Sequence, residues 1–500
     1  MTDDEKLTAE SRQPTADSRQ LTAINHKERN KMNKLQNKIG IKSFPFNYWL
    51  VIIFEFFERG SYYGVMSFLS IYLTSELGFS KEGVGAIKGI IQPLLYFLPI
   101  LSGAIADYMG YRKTLLFAFS FLGFGYFLTS QMTEYFAVFA SLVIMGIGAG
   151  TFKPVISGSI AKVTNEKTST LGFGIFYWSI NLGAFLFPMF LVPALKQIDG
   201  SYVILAAAIF TSLMILPTIF IYKEPAREAK IKKEPFYKIL AGIFKNIWTV
   251  ILDWRFILFI FIYSWFWILY FQMFDSVLWY LNFFVDTTPI NTFVQSLTGL
   301  NWKFDVEHVT VINAFTIILL QLFVSAIVKN TKALPTMLTG ILFGTIGITI
   351  LAFSSNIWTF ILGMFIFSLG EMTAHPKYIS YLGLLAPQDK KATYMGFGFL
   401  YGVFGSSIGA FLGANLYVLL LDNPMISFIK QKLAAAGSSI VLNANATIEQ
   451  AITAAESIGL TKQEVIQQAH TSEFWLIFTG IGITSIIALL LYQKFILKKD

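Results

Sequence analysis

Glu55-Phe-Phe-Glu58-Arg59-Gly-Ser-Tyr62-Tyr63-Gly64 interrupts an otherwise apolar run that begins at about residue 48. Its polar side chains, Glu55, Glu58, Arg59, Tyr62 and Tyr63, follow one another at spacings of 3, 1, 3 and 1, so a helix places them all on one face. An ionised side chain at the bilayer centre costs about 2.5–3.5 kcal/mol on insertion scales, and three of them this close together would not persist facing lipid. The stretch therefore predicts a membrane-embedded helix whose polar face looks into a cavity or onto partners.

The rest of the chain agrees. Its 500 residues are 55% apolar, 16% aromatic and only 14% charged, with a mean hydropathy of +0.59. Soluble enzymes and nucleic-acid-binding proteins do not have this composition. Apolar runs longer than 18 residues recur, and twelve spans are expected, centred near residues 61, 96, 122, 148, 183, 212, 268, 318, 344, 370, 405 and 484. An even number puts both termini on one side. Residues 1–47 are polar, carry nine Lys or Arg and repeat Ser11-Arg-Gln-Pro-Thr-Ala as Ser18-Arg-Gln-Leu-Thr-Ala. With no apolar h-region they read as a disordered tail, not a signal peptide.

Basic residues give the orientation. Of 38 Lys and Arg, 28 fall on the side of the tail and about seven on the other, so both termini are expected in the cytoplasm of a plasma or inner membrane. This placement accounts for the net charge of +8 without a nucleic-acid partner. A basic linker at 223–253, with Lys230, Lys232, Lys233, Lys238 and Lys245, divides the chain into six spans at 48–222 and six at 254–497. A 6+6 layout suggests a transporter. A polar extracytoplasmic loop at about 422–470 has an Ala-rich part expected to form an amphipathic helix. Cysteine is absent, and His26, His308 and His470 show no metal-ligand spacing, so neither a metal nor any other cofactor is expected beyond the proton.

Between spans two and three, Gly103-x-x-x-Asp107-x-x-Gly110-x-Arg112-Lys113 resembles the loop signature of the major facilitator superfamily. Gly103 would permit close helix approach, and Asp107, meeting a helix N-terminus or a basic neighbour, would latch the cytoplasmic face, with Arg112 beside it. The E-x-x-E-R-x-x-Y-Y-G element of span one is similar to the first-helix signature of the proton-dependent oligopeptide transporter family. Further matches follow in Tyr96 ahead of Ser102-Gly103, Lys153-Pro154, Asn181 in Phe176-Tyr-Trp-Ser-Ile-Asn181, Asn313, Gly370-Glu371 with Pro376, and Ala386-Pro387. The resemblance implies an all-α major facilitator fold of two six-helix bundles and a symporter that imports di- or tripeptides with protons by alternating access, working as a monomer.

Residue roles follow in part from depth and charge. Glu55 stands about seven residues into span one and Lys153 about eight from the end of span four, each roughly 11–12 Å deep, so the two could pair. The resemblance implicates Glu55 and Lys153 in proton coupling and in holding the peptide carboxylate. Arg59 and Lys153 offer donors to a carboxylate, and Glu371 could receive an ammonium. Tyr62, Tyr63, Tyr96, Trp178 and Trp279 could wall a pocket, while Asn181 and Asn313 could bond to substrate or between helices. Intramembrane Arg59, Lys153 and Lys377 against Glu55, Glu58, Asp275 and Glu371 leave a net charge of minus one, which one proton would neutralise.

The pattern fails in two places. Phe271 precedes Gln272 where the family carries an acid, leaving Asp275, one turn on, to substitute or to serve an external gate. Span ten puts His375 and Lys377 where small or apolar residues are usual. His375 titrates near neutrality and could take the proton role that Phe271 cannot, while Lys377 could snorkel to the cytoplasmic edge. These departures leave open a carrier of another carboxylate-bearing or anionic metabolite, or a transporter-like receptor; an enzyme is not expected.

Overall fold

The computed structural model describes residues 44–497 except 166–167, 225–234, 388–389 and 444–445. Almost all of the expected amino-terminal tail, and Lys230, Lys232 and Lys233 of the linker, lie outside the described residues. Twelve long helices carry the architecture: α1 Phe46–Met66, α2 Lys81–Met109, α3 Tyr111–Gln131, α4 Tyr135–Val163, α5 Ser169–Leu186, α6 Gly200–Leu213, α7 Trp254–Phe271, α8 His308–Val328, α9 Ala333–Leu351, α10 Ile357–Leu385, α11 Leu400–Tyr417 and α12 Thr471–Tyr492. Among the described residues eleven helical segments are long and apolar enough to cross a membrane. The exception is α1, whose apolar run is broken by Glu55, Glu58 and Arg59, yet it packs between its neighbours α5 and α6 like the others.

Helices of the first six pack chiefly on one another, through α3–α4, α2–α4, α3–α6 and α1–α5, and those of the second six through α9–α10, α7–α11, α9–α12 and α8–α10. The two halves meet along α2–α11 and α5–α8. The second helix of each half thus contacts the fifth of the other, as two related six-helix units do about a pseudo-two-fold axis. Phe117, Phe124, Leu322, Phe323 and Leu490 stand exposed around the outside. In water such a surface would aggregate; hydrocarbon solvates it, and the helices satisfy their own backbone groups.

Hydrophobic burial does not drive helices together inside lipid, so close packing must. At Gly85 on α2, an added Cβ would stand 2.8 Å from the Ala410 carbonyl oxygen of α11. Only a missing side chain lets the two backbones approach so closely. Phe44 and Leu497, the first and last described residues, fall at one end of the bundle, called here the terminal end; Lys81 and Asp422 mark the far end.

Helix α7 does not run straight to the far end. A tight turn, Gln272–Phe274, follows it, and at Asp275 the backbone leaves helical geometry (φ −134, ψ −94) before a short helix at Ser276–Phe284. The break orphans the Phe274 carbonyl, which must find a donor when buried. It accepts from Lys88 Nζ at 2.6 Å and Ser70 Oγ at 2.8 Å, both from the other half.

In the linker, the helix Phe236–Ile251 exposes Tyr237, Phe244, Trp248 and Ile251 on one face while Ile243 and Val250 are buried. The polar loop beyond α11 carries helices at Asn423–Ala435, Ile448–Glu456 and Lys462–Ile466, the latter two opened by capping boxes at Thr447/Gln450 and Thr461/Glu464. Ile448, Ala451, Ala454 and Ala455 bury one face of the middle helix.

Candidate functional site

A cavity of ≈ 510 Å³ lies between the halves. From the first half it is lined by Glu55, Arg59 and Tyr63 of α1, Tyr96 of α2, Lys153 of α4 and Asn181 of α5; from the second by Trp267 and Tyr270 of α7, Asn313 of α8, Glu371 and His375 of α10, and Tyr401 of α11. Pro99, Ile100, Ser157, Gly396 and Phe399 extend the lining toward the terminal end.

Spacing on α1 decides which of its polar groups reach the cavity. Glu55, Arg59 and Tyr63 repeat at i, i+4 and i+8 and form the lining stripe, whereas Glu58 and Tyr62 fall on its flank. The expected single polar face is corrected accordingly. Fully buried Glu58 holds the Arg59 guanidinium bidentately, at 2.5 Å to Nε and 2.6 Å to Nη2, the strong form of charge-assisted bonding. Glu55 stands 3.7 Å from Arg59 Nε, and Tyr62 stacks 5.0 Å from the guanidinium.

The expected Glu55–Lys153 pair does not form, because Arg59, one turn along the same helix, is nearer to Glu55. Among the described residues Lys153 makes no ion pair; its ammonium stands 4.8 Å from the centre of the Tyr96 ring. That ring is seated on Gly402 of α11, where a Cβ would overlap it. On the opposite wall Glu371 accepts from Asn313 Nδ2 at 2.8 Å, and the same amide donates to Ser368 at 3.1 Å. No cation pairs with Glu371 among the described residues. The cavity therefore presents, among the described residues, an ammonium outside any ion pair on one side and a carboxyl outside any ion pair on the other. His375 lies beside Glu371 on α10, its ring 5.2 Å from Trp267 and 5.4 Å from Tyr401, with a buried Nδ1 that has no hydrogen-bond partner among the described residues.

Several expected groups sit elsewhere. Asp275 is not a lining residue; its carboxylate pairs with Lys88 and accepts from Ser70 Oγ at 2.8 Å, away from the cavity. Trp279 packs at the same place, its indole N–H donating to the Ser70 carbonyl at 3.4 Å, and Trp178 is half exposed, so neither walls the cavity. Asn181 lines it while donating to the Tyr177 carbonyl of its own helix at 2.9 Å. Lys377 turns to the terminal end, where its Nζ donates to the Thr331 carbonyl at 2.8 Å. Asp107 accepts from Tyr111 Oη at 3.1 Å and faces Lys162 at 3.5 Å, and Arg112 Nε donates to the Thr218 carbonyl at 3.0 Å, all within the first half.

Lys88 escaped the sequence reading. It lies seven residues inside α2, almost fully buried, and it brings the intramembrane charges to four of each sign. The minus-one total is thereby corrected for the membrane as a whole, although at the cavity Glu55, Glu58 and Glu371 still outnumber Arg59 and Lys153 by one. A lone Lys at i+7 from Lys81 in an apolar run was the available signal.

At the far end, among the described residues, three latches join the halves: Lys81–Asp422 at 2.6 Å, Lys88–Asp275, and Lys196 to Asp305 and Glu307, each at 2.7 Å. They close that end, and the cavity extends the other way.

The sequence signature of the Major Facilitator Superfamily matches residues 51–410. Dipeptide and tripeptide permease B of Photorhabdus asymbiotica is 28% identical over 227 residues, 44% of this chain and 45% of that protein, so the match spans less than half of the relative's length. A solved POT family transporter in complex with 5-aminolevulinic acid superposes with a TM-score of 0.65 at 20% identity, covering 92% of this chain and 98% of that one. A solved form of the nucleoside transporter NupG superposes almost as well, at 0.64 and 14% identity over 89% and 99%. At these identities the structures establish the fold alone.

Proposed function

We propose that this chain, which belongs to the Major Facilitator Superfamily of transporters and is a multi-pass integral membrane protein, imports di- or tripeptides together with protons. Alternating access would be the route, with the terminal end in the cytoplasm and a monomer as the working unit. The observation that carries this reading is that Lys153 and Glu371, neither in an ion pair among the described residues, stand on opposite walls of one cavity. A zwitterion completes both. Arg59 and Lys153 take the peptide carboxylate, Glu371 steadied by Asn313 takes the ammonium, and Tyr63, Tyr96 and Asn181 contact the backbone between them. The surplus acid at the cavity accommodates one proton, held among Glu55, Glu58 and Glu371 or at His375. Asp107 and Arg112 act at the terminal-end face, where they hold the first half together while that face is open.

A second reading, a proton-coupled carrier of another small carboxylate-bearing metabolite, is supported by Phe271, which packs 5.9 Å from the Tyr96 ring where the peptide family carries an acid, and by His375 Nδ1, which has no hydrogen-bond partner among the described residues. The POT family neighbour with 5-aminolevulinic acid points the same way. Proteoliposomes under an imposed inward proton gradient decide: accumulation of labelled dialanine, abolished by Lys153→Ala, is expected. Accumulation of 5-aminolevulinic acid alone would select the second reading, and binding without flux of either would remove both in favour of a receptor.

A further inference from the structure

The three far-end latches share one polarity. In each, the cation belongs to the first half, Lys81 and Lys88 on α2 and Lys196 beyond α5, and the anion to the second half, Asp422, Asp275 and the pair Asp305 and Glu307. Glu76, Glu82 and Asp199, acids of the first half at this end, take part in no ion pair across the halves among the described residues. The deep cavity repeats the sense, with Lys153 on the first half and Glu371 on the second, neither in an ion pair among the described residues.

When this end opens, the halves separate along α2–α11 and α5–α8, and each latch must part. Parting leaves the latch ammonium groups on one lip of the mouth and the latch carboxylates on the other, while Glu76 and Asp199 of the first half already stand exposed to solvent. Such a mouth carries a field directed across it, strengthened by the low-dielectric walls on both sides. A zwitterion entering there has its carboxylate drawn to the first half and its ammonium to the second, the orientation in which Lys153 and Glu371 receive it without end-over-end rotation in a cavity of ≈ 510 Å³.

We infer that the latch residues Lys81, Lys88, Lys196, Asp275, Asp422 and Asp305 with Glu307 form, once parted, an orienting vestibule that aligns zwitterionic cargo before it reaches the cavity. They are positioning residues. The inference rests on the peptide reading above, but adds a function for groups that do not touch bound cargo.

Exchange of one pair separates latch from field. Lys81→Asp combined with Asp422→Lys keeps an ion pair at 81/422 but reverses its sense. In whole cells without other peptide carriers, the exchange is expected to raise the KM for labelled dialanine about five-fold at low ionic strength, with the maximal rate within two-fold of wild type. The difference should vanish as the screening length falls from about 30 Å at 0.01 M to about 3 Å at 1 M salt. A mere latch predicts wild-type KM for the exchange at every salt concentration, and that result overturns the inference while leaving peptide transport standing. If wild type takes up no dialanine, the peptide reading falls and the vestibule with it. Should the exchanged protein not fold, Lys81→Gln with Asp422→Asn serves instead: loss of part of the salt dependence of KM supports the vestibule, and an unaltered salt dependence overturns it.

Discussion

Two kinds of buried charge meet in this molecule, and substitutions at them should differ in sign. Glu58 is committed to Arg59 through two short bonds. Truncation by Glu58→Ala leaves the buried guanidinium the longer contact to Glu55 at 3.7 Å in place of two short bonds, and removing one partner of a buried pair costs about 3–5 kcal/mol. A clear fall in the thermal midpoint of the purified protein is expected, with Glu58→Gln intermediate because it keeps an acceptor. Lys153 makes no ion pair among the described residues. Lys153→Met should abolish uptake yet leave the midpoint at or above that of wild type; a loss as large as that of Glu58→Ala would show that Lys153 is structural glue. The acids, bases and aromatic groups of the cavity were legible in α1, α4 and α10 because ionisable residues in apolar runs stand out. What was not legible is which of them pair. Glu58 and Tyr62 are each turned by about one hundred degrees of helix rotation from their neighbours Arg59 and Tyr63, and only packing against α5 and α6 decides which stripe faces the cavity. Lys88 looked like one more loop lysine until the length of α2 placed it seven residues deep.

At the scale of elements, α2 against α11 is the moving joint, and its tightness at Gly85 sets how fully the far end can close. Gly85→Val adds bulk where even one carbon would meet the Ala410 carbonyl. It should wedge the joint and hold that end open. A cysteine introduced by Thr74→Cys, at a buried position near the latches, should then label with a membrane-impermeant maleimide, whereas in the Gly85 background it should be largely protected. Equal labelling in both would sink the joint as described. The seat of Tyr96 on Gly402 makes a companion case: Gly402→Ala displaces the ring that faces Lys153 and should raise the KM for dialanine, while the distant Gly480→Ala, with open space around it, should not. The order of the long helices could be read from hydropathy because lipid enforces long apolar runs, α1 excepted, whose run is broken by charge. The break at Asp275 could not: no proline or glycine marks it, and it exists because Lys88 and Ser70 of the other half satisfy the carbonyl it exposes.

For the molecule as a whole, rocking of two bundles predicts reciprocal accessibility. The natural chain contains no cysteine, so single cysteines report without background. In the state described, Thr74→Cys should be protected and Ser157→Cys, in the cavity lining toward the terminal end, should react. Dialanine and a proton gradient should move the two in opposite directions, and a joint rise would indicate a pore rather than a carrier. One lock at the far end has a further consequence. Its acceptor at Phe274 is a main-chain oxygen, which no codon change at position 274 erases. Heritable variation can retune that lock only through the donors at 88 and 70 and the carboxylate at 275, none of which lines the cavity, so homologous lineages are free to adjust how readily the gate swings without altering what the pocket recognises.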